Sequence, residues 1–175
     1  MPAAPPANAR GVMGHPPPLM PGPLRGARTS ALEPDLPYGL GTLGAMKLAQ
    51  TILYVQDVEE AAAFYERVFG LERGEVNPGG VYIALKTGET TLAFVDAAWV
   101  AGNGIDFAPV RPQMQPPGIE ISFWVEDVEA TYRAAIEAGA SAWYEPVAKP
   151  WGQTVSCVRD PNGFLVEISN PPPTR

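Results

Sequence analysis

The chain has almost none of the residues that usually build metal or thiol chemistry: one cysteine, Cys157, and one histidine, His15, in 175 residues. A single cysteine excludes an intrachain disulfide and a zinc–thiolate cluster, so an ordinary hydrophobic core has to hold the fold. No stretch reaches the roughly 20 apolar residues of a membrane span, and the N-terminus lacks the apolar core of a secretory signal. The expected setting is cytoplasmic, with no membrane partner. Basic residues are also scarce. Of 12 Lys+Arg and 19 Asp+Glu, nine and 17 follow residue 45, a net of −8 there. That balance argues against nucleic acid as a partner, because phosphate recognition needs clustered Lys and Arg.

Proline is abundant but unevenly spread. Ten of the 21 prolines precede Met46, together with seven glycines and the run His15-Pro16-Pro17-Pro18. Such a composition cannot bury enough apolar surface to offset the entropy of ordering. Residues 1–45 are therefore expected to be a disordered tail, with Met46 as an alternative start, and residues 46–175 the folded domain. The tail takes the only histidine with it.

The domain contains an internal repeat. Val55-x-Asp57-Val58-Glu59 returns 70 positions later as Val125-x-Asp127-Val128-Glu129, each time after a strand-like run, Thr51–Val55 and Ile119–Val125. Asp57 and Asp127 stand at helix N-cap positions, with Glu60 completing a capping-box-like pairing in the first copy. The first helix is expected to end near Phe69 with Gly70 in the left-handed conformation, burying Val58, Ala62, Tyr65 and Phe69. The second runs from Asp127 to Gly139 and buries Val128, Tyr132, Ala135 and Ile136. Three further strands follow each helix, at about 72–76, 80–86 and 90–96, then 141–145, 153–159 and 164–169. The spacing predicts an α+β fold of two βαβββ modules, about 47–99 and 118–171, joined by a linker of about 100–117. The connection from Ala98 to Pro117 has no periodicity and reads as a binding loop or lid.

Strand alternation sorts the residues by face. Leu53 and Val55 go under the first helix and Gln50, Ile52 and Tyr54 face away. Ile121, Phe123, Val166 and Ile168 go under the second, leaving Glu120, Ser122, Trp124, Leu165, Glu167 and Ser169 opposite. Glu120 and Glu167 each sit among apolar neighbours, where a carboxylate has to be paired, protonated or bound to a cation unless it reaches solvent at an open rim.

The paired βαβββ modules, the V-x-D-V after each first strand, Phe64-Tyr65-x-x-Val68-Phe69-Gly70-Leu71 and Asp160-Pro161-Asn162-Gly163-Phe164-Leu165-Val166-Glu167-Ile168 resemble the vicinal oxygen chelate superfamily. That superfamily includes glyoxalase I, bleomycin-resistance proteins and extradiol dioxygenases. The resemblance covers Lys47 to Pro171 and implies a cup-shaped mixed sheet with the helices on its outer face. It maps the four ligand positions of metal-dependent members onto Gln50, Ala93, Glu120 and Glu167, with a one-residue shift left open at Ala93. The absence of histidine from the domain excludes the two-histidine, one-carboxylate iron site. What remains is an oxygen set that suits a weakly held divalent metal (Mg, Mn, Ni or Zn), or, without a cation, two carboxylates sharing a proton.

The resemblance places Tyr54, Trp124, Trp151, Gln153 and Cys157 on the ligand-binding surface of the cup. Two functions follow from it. One is a glyoxalase-like lyase or isomerase that uses Glu167 and Glu120 for proton abstraction beside a carbonyl. The other is a bleomycin-resistance-type protein that sequesters an aromatic or cationic small molecule. The family also implies a homodimer whose modules pair within or between chains.

Overall fold

Each Asp caps its helix as the repeat requires, and each helix then lays its apolar stripe on a sheet. The computed structural model describes residues 47–173; the proline-rich leader lies outside them. The first module is β1 (Gln50–Val55), α1 (Val58–Phe69), β2 (Glu72–Val76), β3 (Tyr82–Lys86) and β4 (Thr91–Asp96). A short helix α2 (Ala97–Gly102) follows. The second module is β5 (Glu120–Trp124), α3 (Val128–Glu137), β6 (Ser141–Ala148), β7 (Thr154–Arg159) and β8 (Leu165–Ser169). The expected α+β fold of two βαβββ modules is present, its mixed sheet divided into two four-stranded halves ordered β1-β4-β3-β2 and β5-β8-β7-β6. In each half the first and last strands are parallel and the others antiparallel.

Local chemistry explains the helix ends. The Asp57 carboxylate accepts from Glu60 N at 2.8 Å, and Gly70 ends α1 at φ 65°. Asp127 likewise accepts from Ala130 N at 2.8 Å, and Gly139 follows α3 at φ 103°. The buried face of α1 is wider than predicted, since Ala61 and Phe64 join Val58, Ala62 and Tyr65 while Phe69 is only partly covered. Ile136, expected inside, is instead exposed at the end of α3.

The two modules share one core made from their helix sides. Leu53, Val55, Ile83, Leu85, Leu92 and Phe94 of the first sheet belong to the same apolar cluster as Val158, Val166 and Ile168 of the second. Aromatic rings join them: Phe69 of α1 stacks on Phe123 of β5 with centroids 4.2 Å apart, and Tyr65 packs against Phe94 and Phe123. This arrangement leaves the opposite faces of the sheets outside the shared core.

Those faces are treated differently. The connection expected to be structureless from Ala98 opens with α2, because Asp96 caps it by accepting from Trp99 N at 2.6 Å. Val100 of this helix is buried in a separate small cluster with Tyr82, Ala84, Ala93 and Val95, and Phe107 packs on Tyr54 at 4.9 Å. The first sheet's outer face is therefore covered by the chain itself. Among the described residues no helix equivalent to α2 covers the second.

The linker is also pinned at its far end. Arg159 donates from Nε to Gly163 O and from Nη2 to Arg111 O, drawing residues 111–112 over the Asp160–Gly163 turn. Gly163 has φ 103°, and a Cβ there would stand 2.7 Å from Arg111 C and 3.0 Å from Pro112 N. Backbone atoms cannot move aside as a side-chain tip would. Gly163→Ala is expected to cost about 2–4 kcal/mol from strain and overpacking. Chemical denaturation checks this, and a loss below about 1 kcal/mol would show that the linker is not held against the turn.

Candidate functional site

The outer face of the second sheet carries the carboxylates. On β5 it presents Glu120, Ser122 and Trp124, and on β8 Leu165, Glu167 and Ser169, with Ser122 opposite Glu167 and Trp124 opposite Ser169. Cys157 of β7 lies opposite Glu167 on the other side, with Tyr144 of β6 beyond it. Glu120, Ser122 and Trp124 follow one another at alternate positions of a strand, so the acidic end and the aromatic end of the face are about 13 Å apart.

The two acids have different surroundings. Glu167 Oε1 accepts from Ser122 Oγ at 2.7 Å and, more weakly, from Ser169 Oγ at 3.5 Å. Its Oε2 has no protein partner among the described residues. Glu120 has neither a hydrogen-bond donor nor an ion pair among them. Partial burial, then the negative charge of Glu167, pushes its pKa above the ordinary carboxylate value. Glu120 lies on an edge strand and is the more exposed of the two, the open-rim alternative, whereas Glu167 is on an interior strand and half-buried.

The raised pKa has a consequence for stability. The folded chain holds the Glu120 proton more tightly than the unfolded chain, so this group's contribution is fully present at low pH and is lost as pH rises through the raised value. Glu120→Gln removes that loss. The variant is expected to gain stability relative to the parent above the folded-state pKa of Glu120 and to match it more closely in acid, as thermal melts across pH 4–8 would measure. An identical pH slope in both proteins would contradict the coupling.

Other expected site residues are dispersed. Trp124 and Trp151 are 65% and 59% exposed, so both indoles are available to a ligand. Trp151 Nε1 donates to Gln153 Oε1 at 3.0 Å, and Gln153 Nε2 donates to Asn170 O at 2.7 Å, fixing the loop before β7. Tyr54 is on the first module under Phe107, away from this face. Cys157 does not line the surface as expected. It is 0% exposed, and burial together with Glu120 and Glu167 pushes its thiol up to about 12, which keeps it protonated and inert near neutrality.

Gln50 is likewise separate. Its Nε2 donates to Tyr82 OH at 2.9 Å within the first module, and no hydrogen bond among the described residues joins it to Glu120 or Glu167. Strand register supports the assignment of Ala93, because Ala93 stands opposite Ile52 just as Glu167 stands opposite Ser122. Ala93 offers no donor atom and is buried under Val100. Among the described residues no three His, Cys, Asp or Glu side chains are grouped to hold a metal. Of the expected divalent-metal set, Gln50 shares no hydrogen bond with Glu120 or Glu167 among the described residues.

Ser122, Ser169 and Tyr144 were not singled out from the sequence. Alternation had put both serines on the carboxylate face, so their role was readable once Glu167 was known to need donors. Tyr144, by contrast, reaches Cys157 across a strand whose register shifts on both sides of it. Its hydroxyl pKa is pushed up to about 12 by burial and by Cys157, Glu167 and Glu120. Lys149 lies over its ring at 5.3 Å.

Paired βαβββ modules define a fold class found in many solved structures. The chain matches the family model described as Glyoxalase/Bleomycin resistance protein/Dioxygenase superfamily over residues 47–168, and it belongs to that superfamily. A glyoxalase-related enzyme from Fulvimarina pelagi is similar at 22% identity and TM-score 0.61, covering 73% of this chain and 89% of that one. A glyoxalase/bleomycin resistance protein/dioxygenase family enzyme from Burkholderia phytofirmans PsJN is similar at 20% identity and TM-score 0.59, covering 71% and 98%. TioX from Micromonospora sp. ML1 is similar at 23% identity and TM-score 0.53, covering 71% and 98%. At these identities the likeness concerns the fold. No curated protein matches the chain. Among the described residues no helix is long and apolar enough to cross a membrane.

Proposed function

We propose that the protein is a small-molecule lyase or isomerase of the glyoxalase-like kind, acting by proton transfer between Glu167, Glu120 and a carbonyl substrate. The observation that carries this reading is the asymmetry of the carboxylate pair. Glu167 is held by two serine hydroxyls with Oε2 left free, while Glu120 retains its proton to higher pH. Two acids whose environments differ in this way suit a base and an acid working together.

For an α-hydroxy carbonyl the steps balance without an external reagent. Glu167 Oε2 takes the α-proton, the C–H electron pair becomes the new C=C bond, and the carbonyl π pair moves to oxygen. Oxygen takes the proton of Glu120, giving an enediol. Return of a proton from Glu167 to the neighbouring carbon, with loss of the other hydroxyl proton to Glu120, moves the carbonyl by one position. The test is NMR of 1-hydroxy-2-alkanones in D2O. Enzyme-dependent loss of the α-proton signal is expected, and its absence across the series would contradict the assignment.

A second reading, sequestration of an aromatic cation, is favoured by the two exposed indoles in a module that also carries an unpaired carboxyl. Micromolar quenching of tryptophan fluorescence by an acridinium dye, lost in Trp124→Ala, would support it. The homodimer belongs to either reading, with the carboxylate face and the free edge of β5 left open to the ligand. Light scattering that gave the monomer mass at micromolar concentration would remove it.

A further inference from the structure

A cleft of about 860 Å3 runs along the free edge of β5, between that strand and the β3–β4 hairpin of the first module. It is within the ~300–1,000 Å3 range of small-molecule sites. Its wall on one side is apolar, with Leu71, Leu92, Ile119 and Ile121, and its other side is the Lys86–Thr91 turn. The Lys86 ammonium is already held by Glu72 at 3.0 Å. Glu120 and Trp124 line this cleft as well as the outer face, because β5 is an edge strand and a ligand can pass around it. The outer face of the first module is packed with Val100 and Phe107, and the cleft beside Phe107 is about half as large, about 420 Å3.

We infer that this cleft holds the non-reacting apolar extension of the substrate, so that the substrate is a neutral hydroxy-carbonyl compound bearing an alkyl or aryl chain. The inference rests on the proton-transfer reading, and Glu120 is the residue that joins the two parts. Its carboxyl meets the reactive end while the chain passes along Ile119 and Ile121 toward Leu71. A neutral head group fits because an anion would meet two acids.

The test is NMR titration of the full chain with 1-hydroxy-2-alkanones of four to ten carbons. Affinity is expected to rise about three- to fourfold per added methylene until the cleft is filled, the increment of burying one CH2. Amide shifts should include residues 119–124 and 87–91. Ile119→Arg, a change at an exposed position, should flatten the series. Absent binding, an affinity independent of chain length, or the same increments in Ile119→Arg would overturn the inference. So would β5 amides that are already protected by a second copy or a bound peptide and do not respond.

Catalysis is read separately in the same samples. Chain-dependent binding without α-hydrogen exchange leaves the cleft in place and removes the proton-transfer reading. Exchange with equal affinity for every chain length does the reverse. Glu167→Gln should lose exchange and keep the chain-length dependence.

Discussion

Replacing Glu167 by glutamine is expected to lower α-hydrogen exchange by roughly 10²–10⁴-fold, the usual contribution of a positioned general base. The substitution keeps the shape of the side chain and leaves an amide oxygen able to accept from Ser122 Oγ, which is 2.7 Å from Glu167 Oε1 in the parent. Folding should therefore be intact, and the loss should fall on turnover with little change in binding. Ser122→Ala is expected to have a smaller effect, because it removes one hydrogen bond that orients the base but not the base itself. A Glu167→Gln protein with unaltered exchange would show that the proton is taken elsewhere.

Removal of the Asp160 carboxylate is expected to have the largest effect on stability. Oδ1 accepts from the backbone N–H groups of Asn162, Gly163 and Phe164 at 2.8–3.0 Å, and Oδ2 accepts from Tyr65 OH at 2.9 Å. The carboxyl is almost completely buried, and burial raises its pKa against the pull of these four donors. Tyr65 belongs to α1 and Asp160 to the turn before β8, so this one side chain ties the first module to the second. Asp160→Ala leaves the Tyr65 hydroxyl and the Asn162 and Phe164 amides without that partner, while Gly163 N keeps its bond to the backbone carbonyl of residue 160, at a cost of about 3–5 kcal/mol. Tyr65→Phe strands a single acceptor and should cost about 1–3 kcal/mol. Urea unfolding distinguishes them. Equal and small losses in both variants would show that the modules are held by apolar packing alone.

The repeat made most of the fold legible. V-x-D-V located both N-caps, Gly70 and Gly139 marked both helix ends, and two-residue alternation separated Leu53 and Val55 from Tyr54 correctly because half-buried strands obey that period. Sheet order was not legible in the same way. Glu120 sits in an apolar run like that of an interior strand, but β5 is an edge, and only the pairing of β8 with both β5 and β7 decides which acid is enclosed. The helix at Ala97–Gly102 is too short for periodicity to reveal it and is stabilised by one cap and one buried valine.

The candidate site was partly readable for a similar reason. Glu120, Glu167 and Trp124 share a face in one module, as alternation within two neighbouring strands implies. Gln50 and Tyr54 belong to the first module, and how its sheet meets the second is a tertiary choice that no local pattern encodes. Cys157 lies on the expected side of its strand yet is sealed, since its neighbours on β6 and β8 carry the large side chains of Tyr144 and Glu167.

The most direct measurement is a 13C NMR titration of the Glu120 carboxyl in the parent protein and in Glu167→Gln. The Glu120 titration is expected above the ordinary glutamate value in the parent, and to move down part of the way when the Glu167 charge is removed, with burial holding the remainder. An ordinary Glu120 titration in both proteins, with no displacement between them, would contradict an acid–base pair built from these two residues.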